Sequence, residues 1–275
     1  TKAMKMVAAS KLRKAQDAIL QMRPFAQKLD EILNKIPVAD GDQLISDYND
    51  ERNPDKVLVV VITSDRGLCG AFNSNAIKAA ISLVRDKYIG QHAKDMVWIM
   101  PLGKKAYDFF RKRDYRIVEG FENIFAELSF GKVKEAAEYV MSGFLDGRFD
   151  RVELVYNEFK NVATQILITE QFLPIVQQEE YIKPSETSRE YIYEPSIPYI
   201  ITELIPRGLK IKFYKAILES NASEHGARMS AMNQATENAG ELLNDLKLVY
   251  NRTRQAAITT EILEIVGGAE ALANG

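Results

Sequence analysis

Apolar residues recur every three or four positions at both ends of this chain. Near the start the run is Met4, Ala8, Leu12, Ala15, Ile19, Met22, Ala26, Leu29 and Leu33. That spacing predicts one amphipathic helix with a continuous apolar seam. Pro24 interrupts the run. A proline removes one backbone hydrogen bond, so a bend is expected there, but the seam continues beyond it through Ala26 and Leu29. Near the end, Ile211, Tyr214, Leu218, Ala222, Met229, Met232, Ala239, Leu243, Leu246 and Tyr250 keep the same rhythm. No proline follows Pro206, which suits a first helical position, so a single helix is expected from about Pro206 to Leu272. Its length would be roughly 100 Å at 1.5 Å per residue. Helices in water depend on packing of their apolar face, so something must lie along this one.

The two seams predict an antiparallel coiled coil between the ends of the chain. With Leu33 beside Ile211 to Tyr214, Thr1 falls roughly 30 residues further up the long helix. The last few turns, through Ile262, Val266 and Leu272, then outrun the first helix. Glycines at 208, 226 and 240 each weaken a helix interior but allow close approach of another backbone.

Between the seams the period changes. Val57-Leu-Val-Val-Val-Ile62 is a continuous β-branched run, as in a strand covered on both faces. A helix follows, capped by Asn73 or Ser74, with Ile77, Ile81, Val84 and Tyr88 inward. Further strands are expected at Met96–Met100 and Tyr115–Val118. Further helices are expected around Ala106–Phe110 and Gly131–Leu145. Arg151–Phe159 and Ala163–Leu173 read as a hairpin turning at Lys160 and Asn161. A short helix is expected around Ile197–Leu204 before Pro206 restarts the chain. The fold class is therefore α/β, a small sheet with helices on its faces, carried on a long antiparallel coiled coil. The expected units are a first helix over 1–36, an α/β domain over 56–176 and a last helix over 206–273.

Charge adds one asymmetry. The net charge is only −2, which argues against a general nucleic-acid binder. Residues 1–30 nevertheless hold seven basic groups (Lys2, Lys5, Lys11, Arg13, Lys14, Arg23, Lys28) against Asp17 and Asp30. Such a face is either plainly solvated or turned to an acidic partner. No apolar run approaches the ~18 to 20 residues that span a bilayer. Cys69 is the only cysteine, so no internal disulfide can form. The pattern is already running at Thr1, so a short upstream piece is expected. No signal peptide is recognisable.

Candidate chemistry is thin. Ser64-Asp-Arg-Gly-Leu-Cys-Gly70 follows a strand and precedes a helix, a place where backbone N–H groups can hold phosphate. It matches neither the dinucleotide fingerprint nor the Gly-Lys-Ser/Thr phosphate loop, and Gly103-Lys104-Lys105 lacks the rest of that motif. His92 and His225 are far apart, with His225 near the long seam. No orienting group for a Cys–His pair and no metal-ligand spacing is evident, so an inert α/β domain is expected, with neither cofactor nor metal.

Four stretches carry a resemblance. Thr1-Lys-Ala-Met-Lys-Met-Val-Ala-Ala-Ser-Lys11, Ser64-Asp-Arg-Gly-Leu-Cys-Gly70, Ala222-Ser-Glu-His-Gly-Ala-Arg-Met229 and Arg254-Gln-Ala-Ala-Ile-Thr-Thr-Glu-Ile262 together resemble the gamma-subunit family of F-type ATP synthases, in order and over the whole chain. The resemblance implies a coiled coil of the terminal helices plus a Rossmann-like α/β domain that binds no nucleotide. It implies a central-stalk rotor that is not itself an enzyme. Its expected partners are the alpha and beta subunits of the catalytic hexamer, the epsilon subunit and the membrane c ring, with no nucleic acid. By motif, Arg254, Gln255, Thr259 and Glu261 match positions touching catch loops of beta. Met4 matches a position facing the acidic lever segment of beta, and Lys11, Arg13 and Lys14 suit the same surface. Tyr191 and Glu194 match foot positions on the c ring. The inserted cysteine pair of the plant chloroplast form is absent. A peripheral protein on the cytoplasmic face of a bacterial plasma membrane is expected. The competing expectation is a nucleotide-binding α/β enzyme with a coiled-coil arm. A static coiled-coil scaffold is the third.

Overall fold

The computed structural model describes residues 1–35, 47–175 and 197–273. Helix α1 (Lys2–Lys35) leads to strand β1 (Val57–Ile62) and helices α2 (Phe72–Lys87) and α3 (Ile89–Ala93). Strand β2 (Val97–Leu102), helix α4 (Lys104–Phe110), strand β3 (Arg116–Ile117) and helix α5 (Phe130–Leu145) follow. Strands β4 (Arg151–Phe159) and β5 (Gln165–Leu173) form a hairpin, and helix α6 (Ile197–Ala273) ends the chain.

The five strands form one sheet in the order β3-β2-β1-β4-β5. All pairings are parallel except the β4–β5 hairpin. The β-branched run of β1 is wholly buried, as a central strand covered on both faces requires. Its side chains divide by the strand period of two. Val57, Val59 and Val61 join Ile77, Ala80 and Val84 of α2 and Ala106 and Phe110 of α4. Leu58, Val60 and Ile62 face the opposite layer, where Val133, Ala137, Val140 and Phe144 of α5 meet Leu209, Phe213, Ala216 and Ile217 of α6. The root of the long helix therefore serves as one of the covering helices of the sheet. Lys210 of α6 reinforces this by an ion pair to Glu138 of α5 at 2.6 Å.

Three local expectations need correction. Helix α2 is not capped by Asn73 or Ser74 through its first amides. The Asn73 carboxamide instead accepts from the Ser64 backbone N–H at 2.9 Å, and the Ser74 hydroxyl donates to the Ala71 carbonyl. Asn73 thus ties the helix back to the loop after β1. Second, α6 does not start at Pro206. It runs without a break from Ile197, with Pro206 inside it. Ile205 packs on the sheet-side core and Leu204 against Ala26, Leu29 and Ile211, contacts that act against the ~3 kcal/mol that an interior proline costs. Third, the hairpin turn is longer than a Lys160–Asn161 turn. The Asn161 side chain accepts from the N–H groups of Ala163 and Thr164 at 3.0 and 2.7 Å, and β5 begins only at Gln165. After β2, Gly103 has φ +111°, and a Cβ there would lie 2.2 Å from the Thr63 carbonyl oxygen, so only glycine fits.

The coiled coil is present and antiparallel. Ala26 and Leu29 meet Ile211, and Leu12, Ala15 and Ile19 meet Leu218 and Ala222. Lys5 donates to Asn233 at 2.5 Å, and the Thr236 hydroxyl meets that of Thr1 at 3.0 Å. Each step down α1 is matched by an equal step up α6. The seam residues Ala8, Leu12, Ala15, Ile19, Ala26 and Leu29 are buried as the spacing predicts, and α1 continues past Pro24 to Lys35.

Candidate functional site: the shaft, its tip and its joint with the α/β body

The 77 residues of α6 amount to roughly 115 Å at 1.5 Å per residue. Only the first half is covered within the chain. From Glu237 to Leu272 every residue is exposed. Ala239, Leu243, Leu246 and Tyr250, expected on the seam with α1, lie beyond Thr236, which stands opposite Thr1, and are exposed. Leu242, Leu248, Val249, Ile258, Ile262, Leu263, Ile265 and Val266 are also exposed, between 47% and 70%. So large an exposed apolar length is a surface suited to packing against another helix or another chain.

The expected contact residues fall in two groups that the fold keeps apart. Met4 is 52% exposed, and Lys11, Arg13 and Lys14 are all exposed along α1. Arg254, Gln255, Thr259 and Glu261 lie exposed on the tip. Arg254 is 18 residues beyond Thr236, or roughly 27 Å further along the helix. The Thr259 hydroxyl donates to the Gln255 carbonyl at 2.9 Å, so it has only lone pairs to offer a partner. Tyr191 and Glu194 lie outside the described residues.

Two buried polar joints fasten shaft to body, and neither was singled out from the sequence. In the first, Glu219 of α6, only 1% exposed, receives Nε of Arg23 at 2.9 Å and Nη2 at 3.0 Å. It also accepts the Phe159 N–H at 3.1 Å, and Arg23 returns a bond to the Phe159 carbonyl. The hydrogen bonds to Glu219 hold the Arg23 guanidinium charged, above its ordinary range. One cluster thus joins α1, α6 and the end of β4.

The second joint unites two of the motifs that carried the resemblance. Arg228 bonds Glu224 one turn below and donates through Nη2 to the carbonyls of Arg66 and Gly67 at 2.8 and 3.3 Å. Burial pushes the Glu224 carboxyl up, against the pull of Arg228. His225 is buried beside them, and burial with the charges of Arg228 and Lys11 lowers it to about 4. Cys69 packs with Phe72 and Ala227, and burial pushes its thiol up, which disfavours the thiolate.

This joint also answers the phosphate question. In open parallel sheets ligands bind outside the carboxyl ends of the strands where the strand order reverses, here between β1 and β4. The shaft crosses that crevice. Gly226 brings α6 so close to the end of β4 that a Cβ would stand 3.3 Å from the Phe159 ring. The loop after β1 turns carbonyls, not amides, toward a guanidinium. A cavity of about 200 Å³ between Ala26, Leu29, Ile211, Tyr156 and Glu170 is below the ~300 Å³ of ordinary ligand pockets. Among the described residues no His, Cys, Asp or Glu cluster is placed to hold a metal ion, and no helix is long and apolar enough to cross a membrane.

Comparison with known proteins agrees with this geometry. A family model described as ATP synthase matches residues 1–272. The ATP synthase gamma chain of Cytophaga hutchinsonii is 54% identical over 275 residues, spanning 100% of this chain and 93% of that one. That of Christiangramia forsetii is 50% identical over 272 residues, spanning 99% and 92%. Among solved structures, a chain from the central stalk and c ring of Tetrahymena thermophila mitochondrial ATP synthase superposes with a TM-score of 0.59 at 27% identity, covering 86% of this chain and 98% of that one. A chain of the Euglena gracilis mitochondrial ATP synthase shares the fold, with a TM-score of 0.55 at 20% identity and coverage of 99% and 95%.

Proposed function

The chain belongs to the ATP synthase gamma-chain family, and from that premise we propose how its shaft, tip and foot divide the work of a rotor. It is a central-stalk subunit of F-type ATP synthase, the part that couples ion flow through the membrane ring to ATP synthesis or hydrolysis. The coiled coil and the bare tip stand within the hexamer of alpha and beta subunits. Arg254, Gln255, Thr259 and Glu261 meet the catch loops of beta. Met4, Lys11, Arg13 and Lys14 meet its acidic lever segment. The α/β body sits below with epsilon on the c ring, with Tyr191 and Glu194 in the foot. The chain makes and breaks no covalent bond, and it is peripheral to the membrane, on the cytoplasmic face in a bacterium.

The observation that carries this reading is the tip. The far end of α6, furthest from the seam with α1 and carrying Ile258, Ile262, Leu263, Ile265 and Val266 exposed, suits a sleeve from other chains. An asymmetric shaft turning in that sleeve can favour a different nucleotide affinity in each beta subunit in turn. Exposed ion pairs are worth only ~0–1 kcal/mol each, so scattered charges such as Lys11 and Arg13 suit a surface that slides past three partners without sticking to one. The rival reading, a nucleotide-binding enzyme, is disfavoured because the shaft crosses the crevice where a nucleotide would lie.

The experiment assembles the full chain with cognate alpha and beta subunits and attaches a bead through an introduced surface cysteine, since Cys69 is buried. Unidirectional turning during ATP hydrolysis is expected. A complex that hydrolyses ATP with a stationary bead would make the chain a static stalk.

A further inference from the structure

A rotor must carry torque across the joint between its body and its shaft. If the body could swivel about the shaft, turning at one end would be lost before it reached the other. A pair of packed helices resists twisting through its seam, and the body touches that seam where Phe159, Val162 and Leu128 pack against Leu12, Leu218 and Ala222. The sheet grips the root of α6 through Leu209, Phe213, Ala216 and Ile217, all within about two turns of one another. Apolar contacts are non-directional, and these lie close against the helix, so they resist tilting of the shaft better than its swivelling. Glu219 adds one polar tie to Phe159 and Ala227 packs against Cys69 and Phe72, and what remains to be supplied is a directional contact held out from the axis.

The joint over the sheet's carboxyl end supplies it. Arg228 lies 15 residues above Phe213, or roughly 22 Å along the helix. Its guanidinium fork reaches out of the shaft to two adjacent carbonyls of the β1–α2 loop. Glu224 aims the fork from one turn below, and both side chains are at least 86% buried, at 14% and 8% exposure. The loop end is equally fixed. The Ser64 hydroxyl donates to the Arg66 carbonyl at 2.7 Å, and Asn73 bonds the Ser64 N–H and hydroxyl. Leu68 is held at φ +63°, a left-handed backbone that a leucine adopts only when its surroundings impose it. Such over-determination suits a rigid stop and not a hinge.

We propose that Arg228, aimed by Glu224 onto the carbonyls of Arg66 and Gly67, is the torsional lock that makes body and shaft turn as one. The inference rests on the rotor reading above, and it assigns these two side chains as positioning residues for coupling. A guanidinium suits the task because its planar fork fixes direction as well as distance, which a lysine ammonium cannot do.

The test has two arms. In the full chain, spin labels on cysteines introduced at the exposed positions Lys112 in the body and Asn244 on the shaft report the spread of body-to-shaft distances. The buried Cys69 stays unlabelled. Arg228→Met is expected to widen that spread at least twofold. Because Arg228→Met strands the buried Glu224 carboxylate, the paired change E224Q with R228M is measured beside it. It restores folding and should leave the spread just as wide. In the whole complex in vesicles, both variants should retain ATP hydrolysis while the ions moved per ATP fall at least twofold. Arg228→Lys should fall between.

An unchanged distance spread in both variants, or an unchanged ion-to-ATP ratio per assembled complex, would overturn the lock and leave Arg228 a purely structural residue. A wild-type complex that fails to turn would overturn the rotor reading instead, and the distance arm would still decide whether the lock exists.

Discussion

Arg23 of α1 grips Glu219 of α6 at both carboxylate oxygens, at 2.9 and 3.0 Å, while the same carboxylate takes the Phe159 N–H. Three segments remote in sequence are closed on one buried charge. Removing the arginine strands that charge away from water. Breaking a buried pair from one side costs ~3–5 kcal/mol, and the part-exposed Arg23 puts this one at the low end. Arg23→Met is therefore expected to lower unfolding stability by about 3 kcal/mol. The pair R23M with E219Q should recover much of that. Urea unfolding of the three chains checks it.

How far these joints could be read in advance depends on what each residue needs beyond its own helix. The seam of α1 and the β-branched run of β1 were legible because spacing alone decides which side is apolar. Tyr250 and Leu246 kept the spacing and still lack cover here, because a period says that a partner exists but not which chain supplies it. Arg228 and Glu224 look like an ordinary surface pair one turn apart, and only the crossing of the sheet buries them. Glu219 did carry a signal. It sits directly after Ile217 and Leu218 and three before Ala222, a charge inside an apolar face.

Two glycines of α6 make opposite predictions. At Gly240 a Cβ meets nothing within 4 Å, so Gly240→Ala should stabilise the isolated chain by the usual ~0.5–1 kcal/mol of helix propensity. At Gly226 a Cβ would press the Phe159 ring at 3.3 Å, and that ring is packed among Leu12, Leu218 and Ala222. The propensity gain is then offset by displacement of a core ring, so Gly226→Ala should gain nothing and lose up to ~1 kcal/mol, within the cost of overpacking. Thermal unfolding of the two variants side by side separates these outcomes.

His225 makes stability depend on pH. Its folded value is about 4, below the unfolded 6.5, because burial and the neighbouring Arg228 and Lys11 oppose a proton. Between those values the unfolded chain binds a proton that the folded chain refuses. Stability from the neutral histidine is therefore complete above pH 6.5 and is lost as pH falls toward 4, up to about 3 kcal/mol. Glu224, whose carboxyl is raised by burial, changes in the opposite sense over the carboxylate range. The histidine share is isolated by comparing the wild type with His225→Gln. The stability advantage of the wild type should shrink between pH 6.5 and 4. A difference that stays constant would mean the histidine is not buried neutral.

The basic face of α1 separates coupling from folding most cleanly. Lys11, Arg13 and Lys14 are all exposed, and none has an ion-pair partner among the described residues. Exposed charges away from such partners change stability by no more than ~0.5 kcal/mol. Reversing all three to Glu should leave the unfolding curve of the chain nearly unmoved. Lys11 is the one member with a reach inward, since its charge helps keep His225 neutral, so a small rise in the His225 value is the expected folding-side trace. In the assembled complex the same reversal sets like charges against the acidic segment proposed for beta. ATP synthesis should then fall severalfold while the complex still forms. Synthesis at the wild-type rate would remove these three residues from the interface and leave the bare tip as the only contact to explain.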